Sequence, residues 1–184
     1  EKEVESSLDK GYVRAAKNDS AMANLFLAES AFSYDRYKKI YWYKGEVLKV
    51  GSPRQDILFC DRTEILKLKE KVAKEIGCKS SKHIFLYAPT FRDNMTKKDL
   101  GIFRRKWHGI LSAAAEKFGG DWIGFIRLHP NIANLDENYS FEDKNVYDVT
   151  DYPDMQELLA VSDIVLTDYS SCIYEFGLTK KIGF

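Results

Sequence analysis

Residues able to do chemistry stand where apolar runs end. Thr90-Phe91-Arg92 follows HIFLYAP (83–89), His129-Pro130 closes WIGFIRLHP, Thr150-Asp151 ends VYDVTD, and Asp168-Tyr169-Ser170-Ser171 follows DIVLT. An arginine carries a planar fork of donors that matches phosphate oxygens, and Thr90 adds a hydroxyl beside Arg92. Pro130 holds the chain before it extended and so fixes where His129 points. That imidazole could donate to a phosphate, support a leaving group, or serve as an ordinary hydrogen-bonded histidine. Arg127, two positions earlier, should share its face.

The stretch LTDYSSCIYEFG (166–177) begins as a buried strand and ends as a helix. A helix N-terminus presents unpaired N–H groups and a partial positive charge, so serines there cap the helix or cradle a phosphate; both uses need the same geometry. On the first use, Asp168 or Ser170 caps the helix together with Glu175. On the second, Ser170 and Ser171 take phosphate oxygens while Glu175, about one turn further on, takes both hydroxyls of a ribose. A phosphate at the helix start and a diol one turn inside is how a nucleoside diphosphate would lie, and this turns the reading toward a nucleotide.

Other candidates read as structural. His83 leads a strand, and His108, in Trp107-His108-Gly109, enters a helix that stops at Gly119. Asp148, Asp151 and Asp154 are close in sequence but lie on a loop and helix start, where capping and solvation are their ordinary uses; no carboxylate cluster demands a metal. No GxGxxG follows any strand, which counts against NAD. Cys60, Cys78 and Cys172 form neither a CxxC pair nor an even set, as expected of reduced thiols. Lysine plus arginine equals aspartate plus glutamate at 28 each, so no global field attracts nucleic acid or an anionic surface. No apolar run approaches the roughly 20 residues of a membrane span.

Elements must position these clusters, and 45% apolar with 14% aromatic content over 184 residues suffices for a core. Short apolar strands alternate with helical patterns, the signature of stacked βαβ units and a parallel sheet. LFLAES (25–30) predicts a strand, AFSYDRYKKIYWY (31–43) an aromatic helix, and EVLKVGSPRQDIL (46–58) a strand leaving through a Gly-Pro turn. Ile65, Leu68, Val72, Ala73 and Ile76 recur at helical spacing with Gly77 as the stop. HIFLYAP is a continuous apolar run of buried-strand length. A helix over about 103–118, strands at WIGFIRLHP, VYDVT and DIVLTD, a helix at PDMQELLAVS, a last helix at SSCIYEFGLTKK and the start of a strand at IGF complete the pattern. In open parallel sheets ligands bind outside the carboxyl ends of the strands, so the polar clusters should share one rim. Tyr37, Tyr41, Trp42 and Tyr43, with Arg36, Lys38 and Lys39, serve either domain packing or contact with an acceptor or membrane surface. An opening without methionine and an end inside KKIGF make the chain read as a fragment.

GSPRQDIL, YAPTFR, LHP and DIVLTDYSSCIYEFGL stand in the order found in the CDP-glycerol glycerophosphotransferases, and over about residues 25–184 the chain resembles that family, which builds poly(glycerol phosphate) chains of wall teichoic acid and related capsule polymers. The resemblance implies an α/β fold of GT-B type, Rossmann-like parallel sheets flanked by helices, truncated here. Residues 1–44 would be a remnant of the N-terminal acceptor-side domain and 45–184 the CDP-glycerol-binding domain, incomplete at its C-terminus. The implied reaction moves glycerol phosphate from CDP-glycerol to the hydroxyl end of a lipid-linked acceptor and releases CMP, without a cofactor or metal. It would run on the cytoplasmic face of the membrane, reached through parts of the protein absent here.

Carried over by position, the resemblance assigns Thr90, Arg92, Ser170 and Ser171 to the donor phosphates and Asp168 and Glu175 to the nucleotide and its ribose. His129 becomes the catalytic residue that contacts the pyrophosphate and supports departure of CMP, and Arg54 and Asp56 fall in an interdomain motif. The family's general base, a histidine of a Trp-His-Gly-like motif, is expected before residue 1; His108 follows YAPTFR and so reads as a surface or packing residue. The fragment should then bind donor but turn over poorly. Lys180-Lys181-Ile182-Gly183 also departs from the proline usual in relatives. Alternatives are a GT-B enzyme using another nucleotide-activated donor, CDP-ribitol or a UDP- or GDP-sugar, and a non-catalytic interaction module that binds no nucleotide.

Overall fold

Asp61 opens the helix that the 61–77 spacing predicts. Its carboxylate accepts from the Glu64 N–H while Glu64 accepts from the Asp61 N–H, a reciprocal cap, and Gly77 closes the last turn in the left-handed region at φ 79°. The structure, a computed structural model, describes residues 8–39, 41–90, 97–129 and 143–184, with the side chains of 97–105 left out. It divides into two compact units, Glu1–Asp56 and Ile57–Phe184.

In the first unit α1 (Lys10–Met22) precedes β1 (Leu25–Ala28), α2 (Ala31–Lys39) and β2 (Glu46–Lys49), and β2 pairs parallel with β1 from Leu25↔Glu46 to Ala28↔Lys49. That pairing keeps residues 46–49 in the first unit, so the division falls after Asp56 and not at the expected 44/45. The aromatic helix also stops early. Trp42 turns into the left-handed region at φ 52°, and the buried Tyr43 ring stacks on Phe26 with centroids 3.9 Å apart. Tyr34 and Tyr37 pack against the same small core of Ala28, Tyr43 and Val47, the packing use expected of the aromatic stretch. Beyond β2 the predicted strand ends, because Gly51 takes φ 81° and Pro53, lacking an N–H for a ladder, opens a 3-10 helix over Pro53–Phe59.

The second unit contains α3 (Arg62–Ile76), β3 (His83–Ala88), α4 (Lys97–Phe118), β4 (Trp122–Ile126), β5 (Val146–Asp148), α5 (Met155–Val161), β6 (Ile164–Thr167), α6 (Cys172–Gly177) and β7 (Ile182–Gly183). The strands form one parallel sheet in the order β5-β4-β3-β6-β7. Strand periodicity sorts side chains to two faces. Ile84, Leu86, Ile123 and Phe125 join residues of α3, α5 and α6 in one core. Phe85, Tyr87, Trp122 and Ile126 join Trp107, Leu111 and Ala114 of α4 in the other. Helices thus cover both faces, as continuous apolar strands require. α4 starts at Lys97, earlier than the expected 103, and α6 ends at Gly177, short of Lys181. There Thr179 Oγ1 donates to the Phe176 carbonyl at 2.7 Å and Lys180 turns left-handed at φ 59°. Lys181 instead reaches back to the carbonyls of Ala160 and Ser162, at 2.8 Å each, at the C-terminal end of α5.

Candidate functional site

The chain runs outward from β3 through β4 to β5, then returns to the other side of β3 with β6 and β7. Strand order therefore reverses between β3 and β6. Connections leave in opposite directions there, and in sheets of this kind ligands bind beyond the carboxyl ends at such a reversal.

Thr90 and Asp168 stand at that reversal and bond to each other. The Thr90 N–H donates to Asp168 Oδ1 at 2.6 Å, and the Thr90 hydroxyl donates to the Asp168 carbonyl. One residue deeper, the Thr167 hydroxyl donates to the Ala88 carbonyl at 2.6 Å. The exits of β3 and β6 are thus pinned together. Since Thr90 gives its hydroxyl proton to Asp168, it has none left to give a phosphate oxygen in this arrangement.

Past the pin the backbone turns sharply. Tyr169 takes φ 48° with its ring 98% exposed, a conformation that costs an L-residue about 1–2 kcal/mol. Ser170 and Ser171 follow at the start of α6. Ser170 Oγ accepts from the Cys172 N–H only at a long 3.4 Å, and Ser171, at the cap position, makes no side-chain capping bond. Capping by Asp168 is not what the structure shows, because its carboxylate turns to Thr90. Glu175 is only 8% exposed, and its Oε2 accepts from Gln156 Nε2 at 2.6 Å, tying α6 to the first turn of α5. A ribose diol would have to share this carboxylate with Gln156.

His129 is exposed at the exit of β4, directly after Leu128, which is buried. Arg127, expected to share its face, is tied to the loop after β5. Its Nη1 donates to the Tyr152 carbonyl at 2.8 Å, and burial lowers the pKa of this guanidinium against the opposing pull of Asp154. The other histidines sit at the opposite end of the sheet. His83 leads β3, stacks on Trp122 with centroids 5.0 Å apart and lies 3.4 Å from Asp163 Oδ2. His108 is 90% exposed, with Nδ1 3.7 Å from Asp143 of the segment entering β5. Of the three histidines, His129 alone stands on the carboxyl rim.

Arg92 lies outside the described residues. Arg54 and Asp56 are exposed on the 3-10 turn that closes the first unit, where the Arg54 charge makes a minor contribution to holding the Glu29 carboxyl low, behind backbone and Ser33 hydrogen bonds. Asp154 caps α5 through the N–H groups of Gln156 and Glu157, and Asp148 accepts from the Thr150 N–H at 2.8 Å. Among the described residues no group of three His, Cys, Asp or Glu side chains is placed to hold a metal ion.

Sequence reasoning passed over Gln156 and Tyr152. The Tyr152 hydroxyl donates to Glu157, and Lys71 reaches the same carboxylate at 2.6 Å. Burial pushes the Glu157 carboxyl up, but Lys71 and Tyr152 outweigh it and leave the pKa lowered. The available signal was Asp154-x-x-Glu157 ahead of an apolar run, a helix-start pattern that fixes where residues 152–157 must stand.

The family profile described as CDP-Glycerol:Poly(glycerophosphate) glycerophosphotransferase matches residues 2–181. A teichoic acid poly(glycerol phosphate) polymerase of Bacillus spizizenii is 30% identical over 179 residues, covering 94% of this chain and 43% of that protein. A teichoic acid ribitol-phosphate polymerase, TarK, of Staphylococcus aureus is 32% identical over 136 residues, covering 73% of this chain and 26% of that protein. The solved structure of the wall teichoic acid polymerase TagF superposes with a TM-score of 0.70 at 26% identity, over 95% of this chain and 42% of TagF. The chain therefore spans less than half the length of these relatives and shares the α/β architecture, of GT-B type, seen in TagF. A match running almost from end to end, on top of an open parallel sheet with its polar clusters on one rim, places the chain in the CDP-glycerol:poly(glycerophosphate) glycerophosphotransferase family.

Proposed function

We propose that this protein transfers glycerol phosphate from CDP-glycerol to the hydroxyl end of a polyol-phosphate acceptor, with the donor diphosphate in the crevice between the carboxyl ends of β3 and β6. The supporting observation is the reversal of strand order at that point, with Ser170 and Ser171 immediately beyond the Thr90–Asp168 pin. The acceptor hydroxyl gives its proton to a general base outside these residues and its oxygen attacks the β-phosphorus, while the phosphorus bond to the bridging oxygen breaks and the bonding pair leaves with CMP. Catalysis of this kind rests on positioning and on neutralising charge that builds on the leaving group. His129, Ser170 and Ser171 serve that charge, joined by Arg92. Thr90 and Asp168 hold the crevice in shape, Glu175 supports the nucleoside side, and Arg54 and Asp56 stand in the last residues of the first unit. The acceptor is lipid-linked and met at the cytoplasmic face of the membrane; among the described residues no helix is long and apolar enough to cross it.

Calorimetric titration of the chain with CDP-glycerol, CDP-ribitol and UDP-N-acetylglucosamine tests this reading. Selective CDP-glycerol binding, weakened in folded Ser171→Ala and His129→Ala variants, is the expected result. Preference for CDP-ribitol would move the substrate to the chemistry named for the 32%-identical relative. Equal indifference to every nucleotide by the folded protein would leave an interaction module as the better account.

A further inference from the structure

β5 ends at Asp148, yet the segment beside it continues past the end of β4 as though still in a sheet. The Arg127 N–H donates to the Tyr87 carbonyl on the β3 side at 2.9 Å. The next N–H, that of Leu128, points the other way, where a ladder carbonyl would be needed if β5 were longer. The Thr150 hydroxyl takes that place and accepts at 2.9 Å. Leu128 itself is 3% exposed, packed in the core beneath α4, so this N–H has little recourse to water if its acceptor is lost. Thr150 is in turn held by its own N–H to Asp148.

The platform carrying Thr150 is fixed at further points. Val149 N–H donates to the Ile126 carbonyl at 2.8 Å, Tyr152 N–H to the Val149 carbonyl at 3.1 Å, and Arg127 Nη1 to the Tyr152 carbonyl. The Tyr152 ring is tethered through Glu157 to Lys71 on α3. The main chain of Leu128 and the side chain of Arg127, the two residues preceding His129, are therefore clamped from one loop.

The geometry points to Thr150 as a positioning residue: its hydroxyl substitutes for a missing strand carbonyl and sets the peptide from which His129 projects, with Arg127 bracing the same loop. This inference rests on the reading of His129 as the residue facing the donor diphosphate. A displacement of about 1 Å at a reacting group can cost on the order of 100-fold in rate, so a hydroxyl without substrate contact can still govern turnover.

Imidazole NMR of the whole chain tests it, since only three histidines contribute signals and His129→Ala assigns the one that matters. Thr150→Val keeps the branched shape and removes the acceptor; Thr150→Ser keeps the acceptor. The expected result is that Thr150→Val shifts the His129 ring signals and shrinks their response to CDP-glycerol, leaves His83 and His108 in place, and is restored by Thr150→Ser. A role confined to stability would lower the melting temperature of Thr150→Val without moving the His129 signals selectively, and that outcome overturns the inference. Equal shifts in the valine and serine variants would overturn it too, since the acceptor would then be irrelevant. If CDP-glycerol leaves the wild-type His129 signals unmoved, the donor-site reading fails separately, while the ligand-free spectra still decide whether Thr150 holds the ring.

Discussion

Asp168→Ala should unpin the crevice at a measurable cost in stability. The substitution deletes the oxygen that accepts from the Thr90 N–H at 2.6 Å but leaves the Asp168 carbonyl that accepts from the Thr90 hydroxyl. A hydrogen bond to a charged acceptor contributes about 1.5–3 kcal/mol, and a half-buried N–H left without a partner falls in the same range. We expect a loss of about 2 kcal/mol, which at a urea slope of 1–3 kcal/mol per molar moves the midpoint down by about 1 M. Trp107 and Trp122, both buried in the second unit, report its unfolding by fluorescence. Asp168→Asn retains an acceptor oxygen and should lose less than half as much. Thr90→Val, which removes only the hydroxyl, should cost about 1 kcal/mol, and its combination with Asp168→Ala should depart from additivity because the two residues touch. An Asp168→Ala midpoint equal to wild type would falsify the pin. Asparagine as damaging as alanine would show that charge rather than the acceptor holds the strand exits together.

Gly124→Ala places a Cβ 2.9 Å from Trp107 Cε3 and 3.4 Å from Val146 Cγ2, and this overpacking should destabilise the second unit by about 1–3 kcal/mol in the same assay. His108→Ala should leave donor affinity unchanged, because the side chain is 90% exposed at the far end of the sheet from the rim; a clear loss in calorimetry would bring the Trp-His-Gly triplet back into the site. Glu157 has a pKa lowered from 4.5 in the folded chain, so it adds stability above that value and loses it as pH falls through the lower folded value. Tyr152 has a pKa raised from 10.0, by burial first and by Glu157 second, so its contribution is complete below pH 10 and disappears as pH climbs through the higher folded value. Urea midpoints across pH should therefore fall off on both sides, with Glu157→Gln flattening the acid limb and Tyr152→Phe the alkaline one.

The elements that sequence disclosed well are those whose signal is their own burial. β3, β4 and β6 are apolar apart from His83 and Thr167 at strand ends because both faces of the sheet are covered, and α3 shows a periodic stripe between a capping aspartate and a left-handed glycine. α1 gave no signal, since Ser20 is its buried residue and no apolar stripe marks it. The aromatic run looked helical to Tyr43, yet aromatic residues pack equally well from a loop, and stacking on Phe26 draws Tyr43 out of helical register. The last helix was overextended because Thr179-Lys180-Lys181 contains no glycine or proline; its end is made by a threonine hydroxyl and a lysine that returns to cap α5.

That the polar clusters stand at the carboxyl ends of the strands was legible in the sequence, but the division of labour among them was not readable from residue type. Short hydroxyl and carboxylate side chains at strand ends are equally suited to hold a phosphate and to replace a backbone partner where a ladder stops. Thr90, Asp168 and Thr150 all take the second use here, each bonding main-chain atoms of a neighbouring strand exit. The common cause is the sheet itself: strands of unequal length leave N–H and C=O groups unpaired at the carboxyl edge, where the backbone must still be satisfied before any ligand arrives. Ser171, which makes no side-chain capping bond, and Ser170, whose hydroxyl accepts only a long one, are the hydroxyls we propose for the donor. If so, serine substitution at Thr150 and asparagine at Asp168 should be tolerated, while alanine at Ser171 should weaken donor binding without moving the urea midpoint. A loss of stability in Ser171→Ala comparable to that of Asp168→Ala would place Ser171 among the edge residues and leave the phosphates without their nearest hydroxyl.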